Sequence, residues 1–174
     1  MKKLPEKERV QYYHRCYKAV DGLWFVKSEE KYGFDDALEI DRQVWKVMPK
    51  IQARFLKEKL GKDTGLEDLA DCLSQKLLLD GFEFKTLKKQ KGGKTWKVEF
   101  MISVCPWHDI LIRSGRAHLS GRIGGAVCGQ EYDVWACLFG GDIGFSFGDT
   151  RICRGEKECV LSFCLSENPM MSGQ

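Results

Sequence analysis

The feature that most narrows the fold is a change of apolar period at Gly81. Upstream, apolar residues recur at helical spacing. Tyr13, Tyr17, Val20 and Trp24 mark a first helix within Val10–Lys31, which Gly33 should stop. Asp35 or Asp36 can cap a second helix, Ala37–Leu60, whose internal Pro49 predicts a bend or a division. A third, opened by Asp63–Thr64, runs through Leu66, Leu69, Leu73 and Leu77 to Gly81. Downstream the period becomes two. FEFKTL (82–87) alternates, as does TWKVEFMIS (95–103), with Trp96, Val98, Phe100 and Ile102 on one face and KKQKGGK as the loop between.

Beyond this hairpin, Cys105-Pro106 leads into a short helix through Ile110, Leu111 and Arg113, and a glycine-rich stretch follows. A helix over 126–139, a strand at 142–147, a turn and a last strand at 159–165 complete the pattern, with 167–174 expected to fray. Helices first and strands later predict an α+β fold, N-terminal helices packed on a mainly antiparallel sheet. The chain reads as one domain of 174 residues, helical over about 7–80 and cysteine-bearing over about 81–166.

The net charge of +3 is too mild, and too interspersed, for a nucleic-acid surface; the Lys88–Lys94 run reads as a solvated hairpin tip. No apolar stretch approaches the ~18–20 residues of a membrane span, and the basic N-terminus lacks the apolar core of a secretory signal. A cytoplasmic protein that binds neither nucleic acid nor membrane is the expectation. In a reducing compartment, eight cysteines point to ligands, redox chemistry or packing rather than to bridges.

Cys16 and Cys72 fall inside amphipathic helices and read as core; Cys164 reads as structural. Cys137 is nine residues after Cys128, on the opposite helix face. Cys105, Cys128, Cys153 and Cys159 all lie at element boundaries, where chain ends can converge on a common centre. Their C-x22-C-x24-C-x5-C spacing is not that of a zinc finger. A four-thiolate metal site and simple buried thiols both remain open. His108 stands one helical turn after Cys105. Glu131 and Tyr132 share the helix face of Cys128, as support or pocket floor, although Glu131 at the surface is the simpler reading. His14 and His118 read as solvated. Trp24, Trp45 and Trp135 suit either a ligand pocket or a core.

CPWHDILIRSGR and ICRGEKECVLSF resemble the cysteine-bearing region of 4-vinyl-reductase-like domains, small-molecule-binding α+β domains related in fold to the Bet3 subunit of vesicle-tethering complexes. The resemblance implies a zinc held by Cys128, Cys153 and Cys159, with Asp149 near the place of an acidic ligand and Cys105 able to substitute. Residues 21–61 are similar to an uncharacterised family grouped with L-2-amino-thiazoline-4-carboxylate hydrolases.

Three functions follow as expectations. One is a small-molecule sensor or carrier with a cysteine-ligated zinc (an iron–sulfur cluster being less favoured), its apolar or heterocyclic ligand near Trp24, Trp45, Tyr132 and Trp135. The second is a hydrolase opening a cyclic amidine or thiazoline, with Glu131 or His108 as general base beside a metal-bound water. Whether the chain is an enzyme stays open, since three or four thiolates make zinc a poor Lewis acid. The third is an interaction module forming homodimers through N-terminal helices, as the resemblance implies.

Overall fold

The computed structural model describes residues 3–166. Three helices come first: α1 (Glu6–Tyr32), α2 (Phe34–Leu60) and α3 (Leu66–Asp80). The hairpin β1 (Glu83–Lys91) and β2 (Lys94–Val104) follows, then α4 (Pro106–Arg113), α5 (Ser120–Ala126), α6 (Cys128–Phe139), β3 (Ile143–Phe147) and β4 (Cys159–Leu165). The four strands form one antiparallel sheet in the order β1-β2-β4-β3. The architecture is α+β. Among the described residues no helix is long and apolar enough to cross a membrane.

The chain divides into two compact units, Met1–Val44 and Trp45–Gln174. In the first, Gly33 adopts φ 90° and separates α1 from α2, a conformation open to glycine without strain. α2 begins at Phe34, so Asp35 and Asp36 lie in its first turn, where they oppose the helix dipole rather than cap from outside. Of the bend or division that Pro49 leads the sequence to expect, the division does not occur. The helix runs through Pro49, but the unit boundary falls at Val44/Trp45, beside the residue whose carbonyl a proline at position 49 leaves without its helical donor.

The core of the second unit lies where α3 and α6 cover one face of the sheet. Val98, Phe100 and Ile102 of β2 and Leu161 and Phe163 of β4 point inward onto Leu69, Leu73, Leu77, Trp135 and Phe139. Register places Val98 opposite Phe163 and Phe100 opposite Leu161. The Phe100 and Phe163 rings meet edge to face with centroids 6.0 Å apart, a favourable quadrupole arrangement. Three elements are tied at one corner. Lys57 of α2 donates to the carbonyl of Leu138 at 2.7 Å, and Gly65 N–H donates to that of Phe139 at 2.7 Å, satisfying carbonyls at the α6 terminus. Gly65, rather than Asp63 or Thr64, is the residue that precedes α3.

Trp96 is a correction. It shares the alternation of Val98 and Phe100 in the sequence, yet it is 41% exposed while Thr95 is buried. The register jumps from Lys89↔Lys97 to Gln90↔Thr95, passing over Trp96, and this bulge inverts the inward phase of the strand. Cys72 is buried as expected, whereas Cys16 is exposed on α1. The 167–174 tail lies outside the described residues.

Two outcomes test this packing. A Cβ on Gly148 would stand 2.8 Å from Val160 Cβ, which the backbone holds in place. Gly148→Ala is expected to lower stability by about 1–3 kcal/mol in urea unfolding. Gly141→Ala, facing open space, should change it by less than about 0.5 kcal/mol. On α1, burial raises the Asp21 carboxyl from 3.8 to about 6. The folded state therefore favours the protonated acid, and its contribution is full below 3.8 and lost as pH rises through about 6. Asp21→Asn should leave the melting temperature nearly unchanged at pH 4 and raise it at pH 7.5.

Candidate thiol and buried-charge site

The sheet places two of the four boundary cysteines at one end. Cys159, the first residue of β4, pairs with Ile102, and Cys105 follows three residues later where β2 gives way to α4. Pro106 occupies the first turn of α4, where its missing N–H costs nothing. Cys128 opens α6. Cys153 lies in a short 3-10 turn, residues 152–154, that Gly155 closes at φ 89°. Gly124 of α5 brings the last two together. A Cβ built there would lie 3.1 Å from Cys153 Sγ and 3.9 Å from Cys128 Sγ, so both sulfurs occupy the space beside this glycine. All four thiols fall within electrostatic reach. Cys105 interacts with Cys159 and Cys128, and Cys153 with Cys128 and Cys159.

Burial dominates the chemistry of three of them. It raises Cys105 to about 11, partly offset by the Trp107 and His108 amides at the start of α4. Burial also raises Cys128, reinforced by the negative charge of Glu131, and raises Cys159 against the pull of Arg151. Cys105, Cys128 and Cys159 therefore pack as neutral groups. Among the described residues, no group of three or more His, Cys, Asp or Glu side chains is arranged to hold a metal ion.

Lys76 lies within electrostatic reach of Cys105, and the cation that faces Cys128 and Cys159 is Arg151. It is 6% exposed; its Nη2 donates to Gly124 O at 2.9 Å, and the guanidinium carbon stands 3.6 Å from the centre of the Phe147 ring. Glu156 accepts the Arg151 backbone N–H and ties the turn shut.

Beside the thiols is a buried ion cluster. Lys76 of α3, 2% exposed, donates to Glu131 of α6 and stands 3.3 Å from Asp80, one turn along its own helix. The rings of Trp45, Phe82 and Tyr132 surround the ammonium at 5.5–6.0 Å. Burial by itself would lower Lys76, but Glu131 and Asp80 outweigh it and hold the ammonium charged. Burial raises Glu131 despite that ammonium. Lys76 and Glu131, in direct contact, titrate as a coupled pair. Glu131 is thus in the interior, where the simpler sequence reading had put it at the surface.

The remaining candidates disperse. Tyr132 is buried against Phe145 and Phe163, with its hydroxyl raised by burial and by Glu131. Trp135 is fully buried and stacks on Phe139. Trp45 is buried and meets Trp107 edge to face at 5.6 Å. Trp24 belongs to the first unit and is 72% exposed on α1. His108 Nδ1 shares a 2.7 Å hydrogen bond with Ser120 Oγ. Asp149 and His118 are exposed, and Cys137 points away from Cys128 into solvent. His14 is half-buried, with no hydrogen-bond partner for Nε2 among the described residues.

Lys76, Asp80 and Arg151 were not singled out from the sequence. A signal existed for the first two. They lie four apart on the same α3 stripe as Leu69, Leu73 and Leu77, where charge is out of place unless paired. Lys76→Met is expected to cost about 3–5 kcal/mol at pH 7, because two carboxylates lose their counter-ion. The loss should shrink towards pH 5 as the unpaired carboxylates take up protons. Replacing Glu131 by Leu in the same variant should recover part of it. Chemical unfolding at the two pH values reads all three outcomes.

No curated protein and no solved structure matches the chain. One family model does match, over residues 7–105, a span that includes α1 to β2, Lys76, Asp80 and Cys105 but ends before Cys128. More than half of the sequence is covered, and the chain belongs to the DUF6125 family, a family of unknown function.

Proposed function

We propose that the chain is a small-molecule-binding module of the sensor or carrier kind, whose second unit is secured by one zinc ion at Cys105, Cys128, Cys153 and Cys159. The observation that carries this reading is the approach of Cys128 and Cys153 beside Gly124, with Cys105 and Cys159, from two further elements, within electrostatic reach of them. The donor set fits: four cysteines suit a closed zinc centre. As they stand the sulfurs are not arranged around an ion, so they would have to draw together and give up their protons. Zinc there would act as a cross-link, fastening the β2–α4 junction, the α6 start and the 153–159 turn to one another.

The likeness to 4-vinyl-reductase-like and Bet3-like domains supports the same reading. The hydrolase alternative is less well served. The Glu131 carboxylate already accepts from Lys76 and His108 is engaged with Ser120, so neither presents an idle base.

Elemental analysis of protein purified without oxygen should give about one zinc per chain, lost in both Cys153→Ser and Cys105→Ser. Stripping the metal with a chelator should lower the melting temperature of the second unit. Zinc retained by Cys105→Ser but lost from Cys153→Ser would move the reading to an open site and to hydrolysis. Metal-free protein with an unchanged melting temperature would return these thiols to ordinary core packing.

A further inference from the structure

The β1–β2 hairpin concentrates positive charge that the mild net charge of the whole chain conceals. Between Phe84 and Val98 it carries six lysines and no acidic residue. Lys89 and Lys97 share one carboxylate, Glu99, at 3.3 and 2.8 Å. Lys88 reaches Glu67 and Asp71 only at 3.5 and 4.0 Å. Lys85, Lys91 and Lys94 form no ion pair among the described residues. Register then sets these charges against one another. Lys89 stands directly opposite Lys97, and Lys91 opposite Lys94. Like charges facing across an antiparallel ladder are destabilising, so the hairpin holds this arrangement against its own stability. Gly92 and Gly93 close the tip in two residues at φ 60° and 77°, the turn that matches strand twist and fixes the register.

The bulge adds an aromatic ring to the same surface. Thr95 is buried and its hydroxyl donates to Glu67 of α3, which anchors the inner face of β2. Trp96, passed over by the register, is the extra residue and stays 41% exposed. Its ring meets no other aromatic ring and no cation among the described residues. Lys94 and Lys97 flank it along β2, and Lys91 and Lys89 stand opposite those two on β1. All of these residues belong to the second unit, and the hairpin's own pairing sets their arrangement.

Four cations framing an unoccupied indole match the chemistry of a single-stranded nucleic acid. Ammonium groups neutralise its phosphates, and a base stacks on the ring. In a duplex the bases are already stacked on one another. A lipid surface calls for a broader apolar face than one ring beside Gly92 and Gly93. An acidic peptide would satisfy the lysines but give Trp96 no planar partner. We propose that the hairpin tip, Lys89, Lys91, Lys94 and Lys97 around Trp96, binds single-stranded nucleic acid. The site uses neither the thiols nor a metal.

The test follows the fluorescence anisotropy of a labelled oligothymidylate of about 15 nucleotides titrated with the full chain. Four phosphate contacts give a log–log salt slope of about −3, a loss of about 50-fold in affinity between about 50 and 200 mM salt. Lys91→Ala with Lys94→Ala should halve that slope. Trp96→Ala should weaken binding about tenfold with the slope unchanged, and Trp96→Phe should recover most of the loss. These side chains are exposed, so circular dichroism should be unaltered in every variant. Lys7→Ala with Lys157→Ala makes the same charge change at exposed sites elsewhere and should leave affinity within about twofold. Absence of binding at about 50 mM salt overturns the proposal. So does a slope indifferent to the Lys91 and Lys94 changes, or an equal loss from the Lys7 and Lys157 changes. Tighter binding to the matching duplex, to phosphatidylserine vesicles or to polyglutamate overturns it as well, and names the occupant instead.

Discussion

The pairing of Lys76 with Glu131 is the constraint around which the second unit is arranged. It joins α3 to α6 through the middle of a core otherwise built from leucine and aromatic rings. Such a pair is a weak source of net stability, because desolvating both ions costs nearly what their attraction returns. Its effect is on geometry. An apolar side chain can slide against its neighbours at little cost, whereas a buried ammonium must keep its carboxylate within hydrogen-bond reach. The aromatic rings around Lys76 are thereby given fixed positions, and Tyr132, next to Glu131 in sequence, is carried into contact with Phe145 and Phe163.

The thiols and Arg151 form a second polar region against the first, with Cys128 responding to Glu131 and Cys105 to Lys76. One wall is hydrophobic sheet, the other a run of short helices and turns with little apolar area of its own. Arg151 bridges the gap by reaching the carbonyl of Gly124 and lying on Phe147. Regions so poor in apolar surface commonly depend on hydrogen bonds, buried ions or a bound metal for their order. The same structural need is met here by a guanidinium, four thiols and a carboxylate-closed turn.

The sequence made the element types legible because its two periods are clean. Leu66 to Leu77 can only be a helix face, and Val98 to Ile102 only a strand face. The strands also carried the pairing of the hairpin. What periodicity could not carry was any feature that interrupts it. Trp96 was misplaced because a bulge shifts the phase locally, and no turn residue announces it. The exposure of Tyr13, Val20 and Trp24 shows the converse: helical spacing reports an apolar face, not what covers it. For the site, the four cysteines could be chosen by their positions at element ends. Glu131 and Lys76 could not be joined, because their partnership spans 55 residues and each alone resembles a solvated side chain.

The strand order has a consequence for how the chain reaches this state. β4 lies between β2 and β3, although it follows both in sequence. Until β4 emerges, the hairpin ends in an open inner edge and β3 has no neighbour to pair with. During synthesis the early helices can form from local contacts, but the sheet must wait with a bare edge lined by Val98, Phe100 and Ile102. Such an edge invites pairing with other chains. The interval between the translation of β2 and that of β4 is therefore the period of greatest aggregation hazard, and the lysines at the tip of the hairpin stand where they can repel a second chain during it.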